Sequence, residues 1–496
     1  MKPGALAYII LQNDAPSTQR LSLNLAANKD ASSILTFVKS NLNIPSIYTS
    51  EYFSAIYPKL IEKATKEAIS GNWVTGPIEQ TKIVDLNKLT KKISRQYLTN
   101  YANTWLEFLN NIKIINFTTL PQLVNALKLL GSNHSPLTQL IRLAQNNIVP
   151  QVAKTNKTLF AFTKLNGLDF LQQRSSAPNF ATGVSSITAT LNDLYHYLNP
   201  AASAKNNGRT AFELASLRIR DNGQNDPLEQ LLSTSQLYHE PVKSWLYGLG
   251  MNTWHLMLYQ AGNYINTIWQ KNITPQYQAQ IENRFPFSQT SNNNVSLENF
   301  RHFFAPDGIL DNFFSRYLSP FVDSTQIPWK LKNLDGDSLP IFNTSLASLQ
   351  KAHQIQHVYF YGMDRHLFVP FSLQPNKIGN NVATIKVELG NQKTTYKNNA
   401  PFLASHFVWP DDANSNLTKI TFMDKNKKDL SLVEHGPWGW LKLLQSGNIK
   451  PTNNPKQYMV TFNKKGLTAN MLLTLNEKKN PFFLKQFDDF QLPEHL

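Results

Sequence analysis

Two histidines are the first residues in this chain whose types and spacing could do chemistry. His353 and His357 lie four residues apart in a segment with helical periodicity, so both imidazoles face one side of the predicted helix. Two imidazoles at this spacing can hold a metal ion, and His366 or Asp364 could supply a third ligand. A solvated helix edge explains the same pattern, and no acidic residues that could orient the imidazoles are evident nearby. We therefore predict neither a metal site nor a cofactor.

Two further groups contain carboxylates that could act as acids or bases. Asp411 and Asp412 are adjacent, but neighbouring side chains point apart along a strand, so a charged turn is the simpler interpretation. The segment from Glu434 through His435 to Pro437 joins a predicted strand to a predicted helix, where an enzyme could place a base. A strand end followed by a helix-starting proline is the simpler explanation. We predict no catalytic residues.

The common signatures of nucleotide-binding and hydrolytic enzymes are absent from the sequence. It contains no phosphate-binding P-loop, no dinucleotide-binding glycine motif, no His-Glu-x-x-His zinc motif and no nucleophile elbow. The chain also has no cysteine, which excludes disulfides, thiol nucleophiles and cysteine-bound metals. These absences favour a protein that is not an enzyme.

The chain is basic, with 48 Lys and Arg residues against 33 Asp and Glu residues and a net charge of +15. This balance suits an acidic partner, such as nucleic acid, an anionic lipid surface or an acidic protein. Most basic residues are scattered, with short clusters at 91–92, 425–428 and 478–479. The segment 458–465 mixes aromatic and basic residues as nucleic-acid-binding sheets do, but no recognised motif accompanies it. A solvated basic surface is the simpler interpretation.

Helical periodicity dominates the chain up to about residue 362. Over 86–112, apolar and aromatic residues, Trp105 among them, recur at steps of three and four and form one stripe. We interpret 164–186 as a loop or a partly ordered crossing and 199–209 as a linker. The other predicted helices cover 15–40, 52–69, 120–130, 136–148, 211–219, 227–238, 241–270, 274–283 and 345–360.

The segment 300–323 concentrates phenylalanines on both sides of a short turn. Their spacing predicts two helices with wide apolar faces. Asp307 and Gly308 suit the turn between them, because aspartate tolerates strained backbone and glycine supplies a positive φ at little cost. Surfaces this apolar must be buried. We predict that four phenylalanines hold the last helices together and fix the angle of the domain that follows; they are Phe303, Phe304, Phe313 and Phe314.

From residue 366 onward the pattern changes to short alternating segments bounded by Asn, Gly, Pro and Lys, which is typical of an antiparallel sandwich. One predicted helix, 437–445, interrupts the strands. The predicted fold class is multidomain α + β: an N-terminal all-α helical region followed by a C-terminal antiparallel β-sandwich with one inserted helix. We assign helical regions to 1–200 and 210–362 and the sandwich to 363–496.

No run of about eighteen apolar residues occurs, so no transmembrane segment is predicted. The apolar run at 5–11 is short for a signal peptide, and no convincing cleavage site follows it. We expect either a cytosolic protein or a soluble piece of a longer one.

Several short motifs occur in an order that resembles the IcmF/TssM family, whose members are inner-membrane core components of type VI secretion systems, with a relative in the type IVB (Dot/Icm) system. The motifs are GNWVTGP (71–77), SRQYLTNYANTWLEFLNNIKI (94–114), RFPFS (284–288), the segment 300–323, HFVWP (406–410), HGPWGWLKLL (435–444), and NPF (480–482) with FQLPEHL (490–496). The chain departs from the family at Glu51, where glycine is usual, and at Asp411, where glycine often follows Trp-Pro.

The resemblance implies a structural role for a set of signature residues. These are Trp73, Trp105, Phe303, Phe304, Gly308, Asp311, Phe313, Phe314, Trp409, Pro410, Trp438 and Pro481. It also implies a periplasmic scaffold region of an inner-membrane-anchored protein that takes part in a multimeric envelope complex. The implied partners are a TssL/DotU-type inner-membrane protein and, for the sandwich, a TssJ-type outer-membrane lipoprotein. A peptidoglycan-acting envelope enzyme and a basic nucleic-acid-binding protein remain as alternative functions.

Overall fold

The structure is a computed structural model that describes residues 7–10, 20–21, 29–39, 43–70, 85–155, 180–360, 366–411, 417–476, 481–482, 487 and 490–496. The chain divides into two compact units. The first contains Met1–Ala261 and Leu334–Asp337, and the second contains Gly262–Asn333 and Ser338–Leu496. Neither predicted boundary, at 200–210 or at 362–363, coincides with this division, and the three-domain organisation stays a prediction.

The first unit is mainly helical in its described part, with two small pairs of antiparallel strands. The pairs are β1 (Arg20–Leu21) with β3 (Ile44–Pro45), and β2 (Leu35–Phe37) with β4 (Ile112–Ile114). Its helices are α1 (Lys29–Ser32), α2 (Ser50–Ala55), α3 (Tyr57–Ser70), α4 (Leu86–Asn110), α5 (Leu120–Leu130), α6 (Pro136–Thr155), α7 (Phe180–Ser203), α8 (Asn207–Arg220), α9 (Pro227–Gln236) and the first part of α10 (Val242–Asn272).

Helix α4 shows how the sequence pattern becomes structure. The Asp85 side chain accepts hydrogen bonds from the backbone N–H groups of Asn87 and Lys88, at 3.0 and 3.2 Å, and so caps the first turn. The predicted stripe is buried from Leu89 onward, with Tyr97 and Trp105 fully inaccessible, whereas Leu86 in the first turn is exposed. The helix ends two residues before the predicted end because Ile112–Ile114 pairs with Leu35–Phe37.

Three predictions in the first unit are wrong where they fall on described residues. The segment 15–40 was predicted to be helical, but Leu35–Phe37 is a strand, since its pairing with β4 outweighs a weak helical preference. The predicted linker 199–209 is mostly helical: α7 continues through Pro200 to Ser203, and α8 begins at Asn207. Burial of Leu198 and Ala201 offsets the cost of the proline. Most of the predicted loop 164–186 lies outside the described residues, but its described end, 180–186, is the start of α7.

The second unit combines helices with two antiparallel sheets. Its helices are the end of α10, then α11 (Thr274–Gln280), α12 (Leu297–Phe304), α13 (Ile309–Phe313), a π-helical turn (Phe314–Leu318) and α14 (Asn343–Tyr359). A small pair, β5 (Val322–Asp323) with β6 (Lys330–Leu331), lies between them. No helix in the described part of the chain is long and apolar enough to cross a membrane.

The sheets form the predicted sandwich. The strands are β7 (Val369–Ile378), β8 (Val382–Leu389), β9 (Gln392–Lys397), β10 (Ser405–Trp409), β11 (Leu417–Asp424), β12 (Asp429–His435), β13 (Asn448–Pro451), β14 (Gln457–Lys464) and β15 (Leu467–Leu475), with α15 (Gly439–Ser446) inserted. One sheet has the order β10-β7-β15-β14-β13 and the other β12-β11-β8-β9, and all pairs are antiparallel. Side chains alternate strictly between buried and half-buried along β15, as the sequence alternation predicts.

The fold class is therefore confirmed, a helical region followed by an antiparallel sandwich with one inserted helix. The sequence missed β13, a four-residue edge strand whose polar residues and Pro451 carry little strand signal. It also missed most of β7, because the predicted strand there covers only 367–369 and two prolines, Pro370 and Pro375, weaken the signal.

Candidate functional site

The helix α12 carries the phenylalanines that the sequence marks out. The Ser296 side chain accepts a hydrogen bond from the Asn299 N–H at 3.1 Å and starts the helix, and the chain leaves it at Ala305, just before Pro306. Phe300, Phe303 and Phe304 share its buried face. Their spacing of three and four residues thus places a continuous aromatic surface on one side of a short helix.

These rings meet aromatic residues from α14 and from the sandwich. The ring centroid of Phe300 lies 5.1 Å from Trp438 and 5.4 Å from Tyr359, both nearly edge-on. Trp438 lies 5.0 Å from Trp409, the last residue of β10. We call the buried group Phe300, Phe303, Phe304, Tyr359, Trp409, Trp438 and Phe487 the aromatic junction.

Hydrogen bonds orient the polar members of the aromatic junction. The Trp438 Nε1–H donates to the Val295 carbonyl at 2.7 Å, and the Trp409 Nε1–H donates to the Pro437 carbonyl at 3.2 Å. The Tyr359 hydroxyl donates to the carbonyl of Pro481, another predicted signature residue. Each of these buried donors thus has a partner. The Trp438 bond joins the sandwich to the residue before the N-cap of α12, and the Tyr359 bond joins α14 to the segment after β15.

The predicted turn after α12 contains two more signature residues, Gly308 and Asp311, but glycine does not supply its positive φ. The positive φ belongs to Asp307, at 55°, whereas Gly308 has a φ of −74°. The Asp311 carboxylate stabilises this turn because its Oδ2 accepts from the Asp307 N–H at 2.9 Å. A Cβ at Gly308 would lie 2.7 Å from the Ala305 carbonyl oxygen, so glycine is required there for close packing.

The two phenylalanines after the turn have different surroundings. Phe313 is buried, with its ring edge-on to Trp269 at 5.0 Å. Phe314 is only half-buried; its ring lies 4.8 Å from Trp329 and lines a cavity of about 30 Å³. The cavity has about the size of one water molecule. Phe313 therefore belongs to the core and Phe314 to its border.

The C-terminal motif packs on the last turns of α10. The Trp269 Nε1–H donates to the Pro493 carbonyl at 2.8 Å, and the Leu496 N–H donates to the Asn266 side chain at 3.0 Å. Leu492 and Leu496 are buried. The end of the chain is thus part of the second unit's core.

The remaining signature residues lie away from the aromatic junction or outside the described residues. Trp105 belongs to the first unit, where its Nε1–H donates to the Tyr48 carbonyl at 2.8 Å within a cluster of tyrosines. Burial raises the pKa of Tyr57 in this cluster to about 12, and that tyrosine stays neutral. Pro410 follows Trp409 through a cis peptide bond. Trp73 lies outside the described residues.

The histidine pair is close enough to interact, as the helical spacing predicts. The two Nε2 atoms of His353 and His357 lie 2.9 Å apart, and Trp329 packs beside His353. Burial and the neighbouring His357 lower the pKa of His353 below its ordinary value. Across the described ranges, no group of three or more His, Cys, Asp and Glu side chains lies where it could hold a metal ion. Asp364 lies outside these ranges.

The candidate carboxylates lie beside a turn and at the end of a strand. The Asp411 Oδ2 accepts from the Asn391 N–H at 2.7 Å and closes the turn between β8 and β9. Asp412 lies outside the described residues. Glu434 and His435 end β12, and the inserted helix begins at Gly439, two residues later than predicted.

A buried arginine is the most unusual charged group that sequence reasoning missed. Arg218, with no exposed side-chain surface, donates to the carboxylates of Asp226 and of Asp335, the latter at 2.5 Å. Its guanidinium also lies over the Trp254 ring, 5.2 Å from the centroid. Asp335 is 117 residues away in sequence, so no local signal could have paired it with Arg218.

Three family models match the chain in sequence order. They are an IcmF-related model described as intracellular multiplication and human macrophage-killing (1–148), the type VI secretion protein IcmF helical domain (260–364) and the type VI secretion protein IcmF C2-like domain (371–477). Together they include both the helical region and the sandwich.

A curated relative and two solved structures resemble the chain. Type VI secretion system component TssM1 of Pseudomonas aeruginosa is 22% identical over 457 residues, which is 83% of this chain and 40% of that protein. A structure of a type VI secretion system membrane core complex matches with a TM-score of 0.72 at 18% identity, over 100% of this chain and 99% of that one. A type VI membrane complex matches with a TM-score of 0.65 at 16% identity, over 91% of this chain and 86% of that one. At these identities the two structures show a shared fold.

Proposed function

Because the chain belongs to the IcmF/TssM family, we propose that it is the periplasmic scaffold portion of an inner-membrane component of a bacterial secretion system. In this role it stabilises an envelope-spanning complex through protein–protein contacts and has no enzymatic activity. The observation that carries the proposal is that the family's regions occur in order, and that most of its signature residues in the second unit are buried as packing or turn residues.

The aromatic junction supports a mechanical role for the second unit. A scaffold must keep its parts at a fixed angle, which requires closely packed side chains with few alternative positions. Phe300 contacts both Tyr359 of α14 and Trp438 of the sandwich. The hydrogen bonds that Tyr359 and Trp438 donate to backbone carbonyls fix the orientation of these two side chains. The sandwich is thereby held firmly by the helices next to it.

The charged side chains that could take part in chemistry instead make contacts that stabilise the fold. Asp411 closes a turn and Arg218 is paired with carboxylates. These placements favour a scaffold over the envelope enzyme that the sequence left as an alternative.

The edge strands of the sandwich are candidate docking sites for partners, because an edge presents backbone groups without partners. Three of the four edges are protected. Exposed Lys393 and Lys397 lie on β9, the Gln392 side chain hydrogen-bonds both backbone groups of Val408 on β10, and Pro451 ends β13. No described strand pairs with the outer edge of the remaining strand, β12.

Strand β12 also exposes apolar side chains. Leu430 and Leu432 are half-buried and Val433 is 41% exposed. We therefore propose β12 as the strand that docks a TssJ-type outer-membrane lipoprotein. A TssL/DotU-type inner-membrane protein and further copies of the chain complete the proposed complex.

Protease accessibility of the full-length parent tests the location. We expect protease to digest this region in spheroplasts whose inner membrane is intact, and to leave it whole in intact cells. Protection that persists until the inner membrane is permeabilised would place the region in the cytoplasm and overturn the proposal.

Co-purification with the soluble part of a TssJ-type lipoprotein tests the docking strand. We expect Val433→Lys to abolish the complex, since lysine on an edge strand disfavours pairing. Thr395→Lys is the matched control, because Thr395 is exposed on β9, the opposite edge of the same sheet. Equal binding by both variants would rule out β12 as the docking strand.

A further inference from the structure

Four segments of the sandwich meet at one end of its sheets. They are the turns 379–381, 425–428 and 464–466 and the end of β9 at Asn398. The Lys425 N–H donates to the Asn381 carbonyl at 3.1 Å, and the Gly379 N–H donates to the Thr468 carbonyl at 2.9 Å. The Asn398 side chain donates to the carbonyls of Gly379 and Val382, at 3.2 and 2.8 Å. The four segments therefore form one continuous surface.

This surface is strongly basic. Seven lysines lie on it, of which all but Lys464 are exposed; they are Lys377, Lys397, Lys425, Lys427, Lys428, Lys464 and Lys465. We call it the lysine end. No ion pair joins any of the seven to an acidic residue in the described part of the chain.

Its two acidic residues do little to neutralise it. Asp424 accepts from the N–H groups of Asn426 and Lys428, both at 2.8 Å, and so serves to close the turn. Asp429 is the other carboxylate. Like charges gathered on neighbouring turns repel one another, so the arrangement favours binding of an extended anionic surface.

The lysine end lies opposite the aromatic junction along the strands. Asp424 pairs with Val382 at the lysine end of β11, whereas Trp409 and Trp438 belong to the other end of the sandwich. A strand of eight residues, such as β11, spans about 26 Å. The sandwich is thus held at one end by helices and carries its free lysines at the other.

We propose that the lysine end binds the surface of an anionic phospholipid bilayer. Lysines near such a surface each strengthen binding by about fivefold, and the effect adds over a cluster. The loop 398–404 leaves the same end and exposes Leu403 by 74%, an apolar side chain that can enter the lipid headgroup region.

Other anionic partners fit the lysine end less well. Nucleic-acid-binding surfaces place aromatic rings among their basic residues, and the tips of these turns carry none. Protein–protein interfaces are enriched in arginine and aromatic residues and depleted in lysine. The composition therefore favours lipid headgroups, which are read through charge rather than through directed hydrogen bonds.

Flotation of the purified chain with lipid vesicles tests the proposal independently of any secretion system. We expect binding to vesicles that contain phosphatidylglycerol, weak or no binding to phosphatidylcholine alone, and steep loss as salt is raised. Lys425→Gln/Lys428→Gln should weaken binding by about 30-fold if the two charges contribute as lysines do near anionic membranes.

Lys91→Gln/Lys92→Gln is the matched control, since it removes the same charge from exposed lysines of helix α4. Equal loss of vesicle binding in the two double variants would show that binding depends only on the net charge of the chain, and would overturn the proposal. Duplex DNA bound as tightly as the vesicles, with the same sensitivity to Lys425→Gln/Lys428→Gln, would overturn the lipid assignment. Lys464→Gln/Lys465→Gln, on a separate turn, repeats the test if the first variant does not fold.

Discussion

The phenylalanines that look equivalent in the sequence differ in what surrounds them. Phe303 is fully buried, with its ring 6.1 Å from Tyr277 and 5.5 Å from Phe304. Phe314 is half-buried, borders a small cavity and contacts the buried Trp329. The extent to which each ring is buried decides how much its removal lowers the free energy of unfolding.

Truncation of these rings should therefore have unequal effects. We expect Phe303→Ala to destabilise the second unit by about 3–5 kcal/mol, because it leaves a buried cavity. Phe314→Ala should cost about 1 kcal/mol, mostly the lost contact with Trp329. Denaturant unfolding of both variants measures the difference. Equal losses would contradict the burial difference between the two residues.

Glycine substitutions test the turn after α12. Gly308→Ala should destabilise the protein, since the new Cβ would lie 2.7 Å from a backbone oxygen that cannot move freely. Gly248→Ala is the control in helix α10, where a Cβ meets nothing within 4 Å. That change should stabilise the helix by about 0.5–1 kcal/mol. Thermal unfolding measures both changes: the melting temperature should fall for Gly308→Ala and rise for Gly248→Ala. A higher melting temperature for Gly308→Ala would refute the packing argument.

The histidine pair should titrate unevenly. We expect NMR titration to give His353 a pKa below that of an ordinary histidine, and His357→Gln to raise it by removing the neighbouring charge. In the unmodified chain, the lowered pKa of His353 means that the unfolded state binds a proton at this histidine more readily than the folded state. The free energy of unfolding should therefore fall as the pH drops below about 6.5. An unshifted His353 would show that the imidazole is solvated.

At the scale of elements, the sequence predicted best where a repeating pattern extends over several turns or strands. Helix 120–130 agrees to the residue with α5, because Thr119 caps it and its apolar face is regular. Most of the sandwich strands were found through their alternation. The helical residues within the predicted linker 199–209, the short strands β2 and β13 and most of β7 were missed, since long-range pairing and burial decide their conformation.

The buried Arg218 belongs to this scale because it joins helix α8 to the N-cap of α9 and to Asp335. Arg218→Ala should cost about 3–5 kcal/mol, since it leaves two partly buried carboxylates without their counter-charge. Arg220→Ala, an exposed position on the same helix, should change stability by less than about 0.5 kcal/mol. Chemical denaturation of both variants gives the comparison, and a mild effect of Arg218→Ala would mean that water reaches the site.

For the whole molecule, the principal structural finding is that helices and sandwich of the second unit share the aromatic junction. Residues of α12, α14, β10 and the segment around Trp438 contact one another within one buried cluster. A shared core implies that this unit unfolds as one cooperative body.

Hydrogen exchange tests this cooperativity. Phe303→Ala should reduce the protection of slowly exchanging amides in β8 by the same factor as in α14, about a hundredfold or more. Leu403→Ala, at an exposed position, is the control and should leave both unchanged. Loss confined to α14 would instead support a separate sandwich domain beginning near residue 363.

The sequence by itself determined the fold class, most of the helices and strands, and the family, because periodicity and motif order are local properties of the chain. Only the tertiary structure decided which signature residues meet, which edge of the sandwich is open and which lysines gather at one end. Tyr359 and Pro481, for example, are 122 residues apart. Contacts at such separations depend on how whole elements pack, and no single segment contains that information.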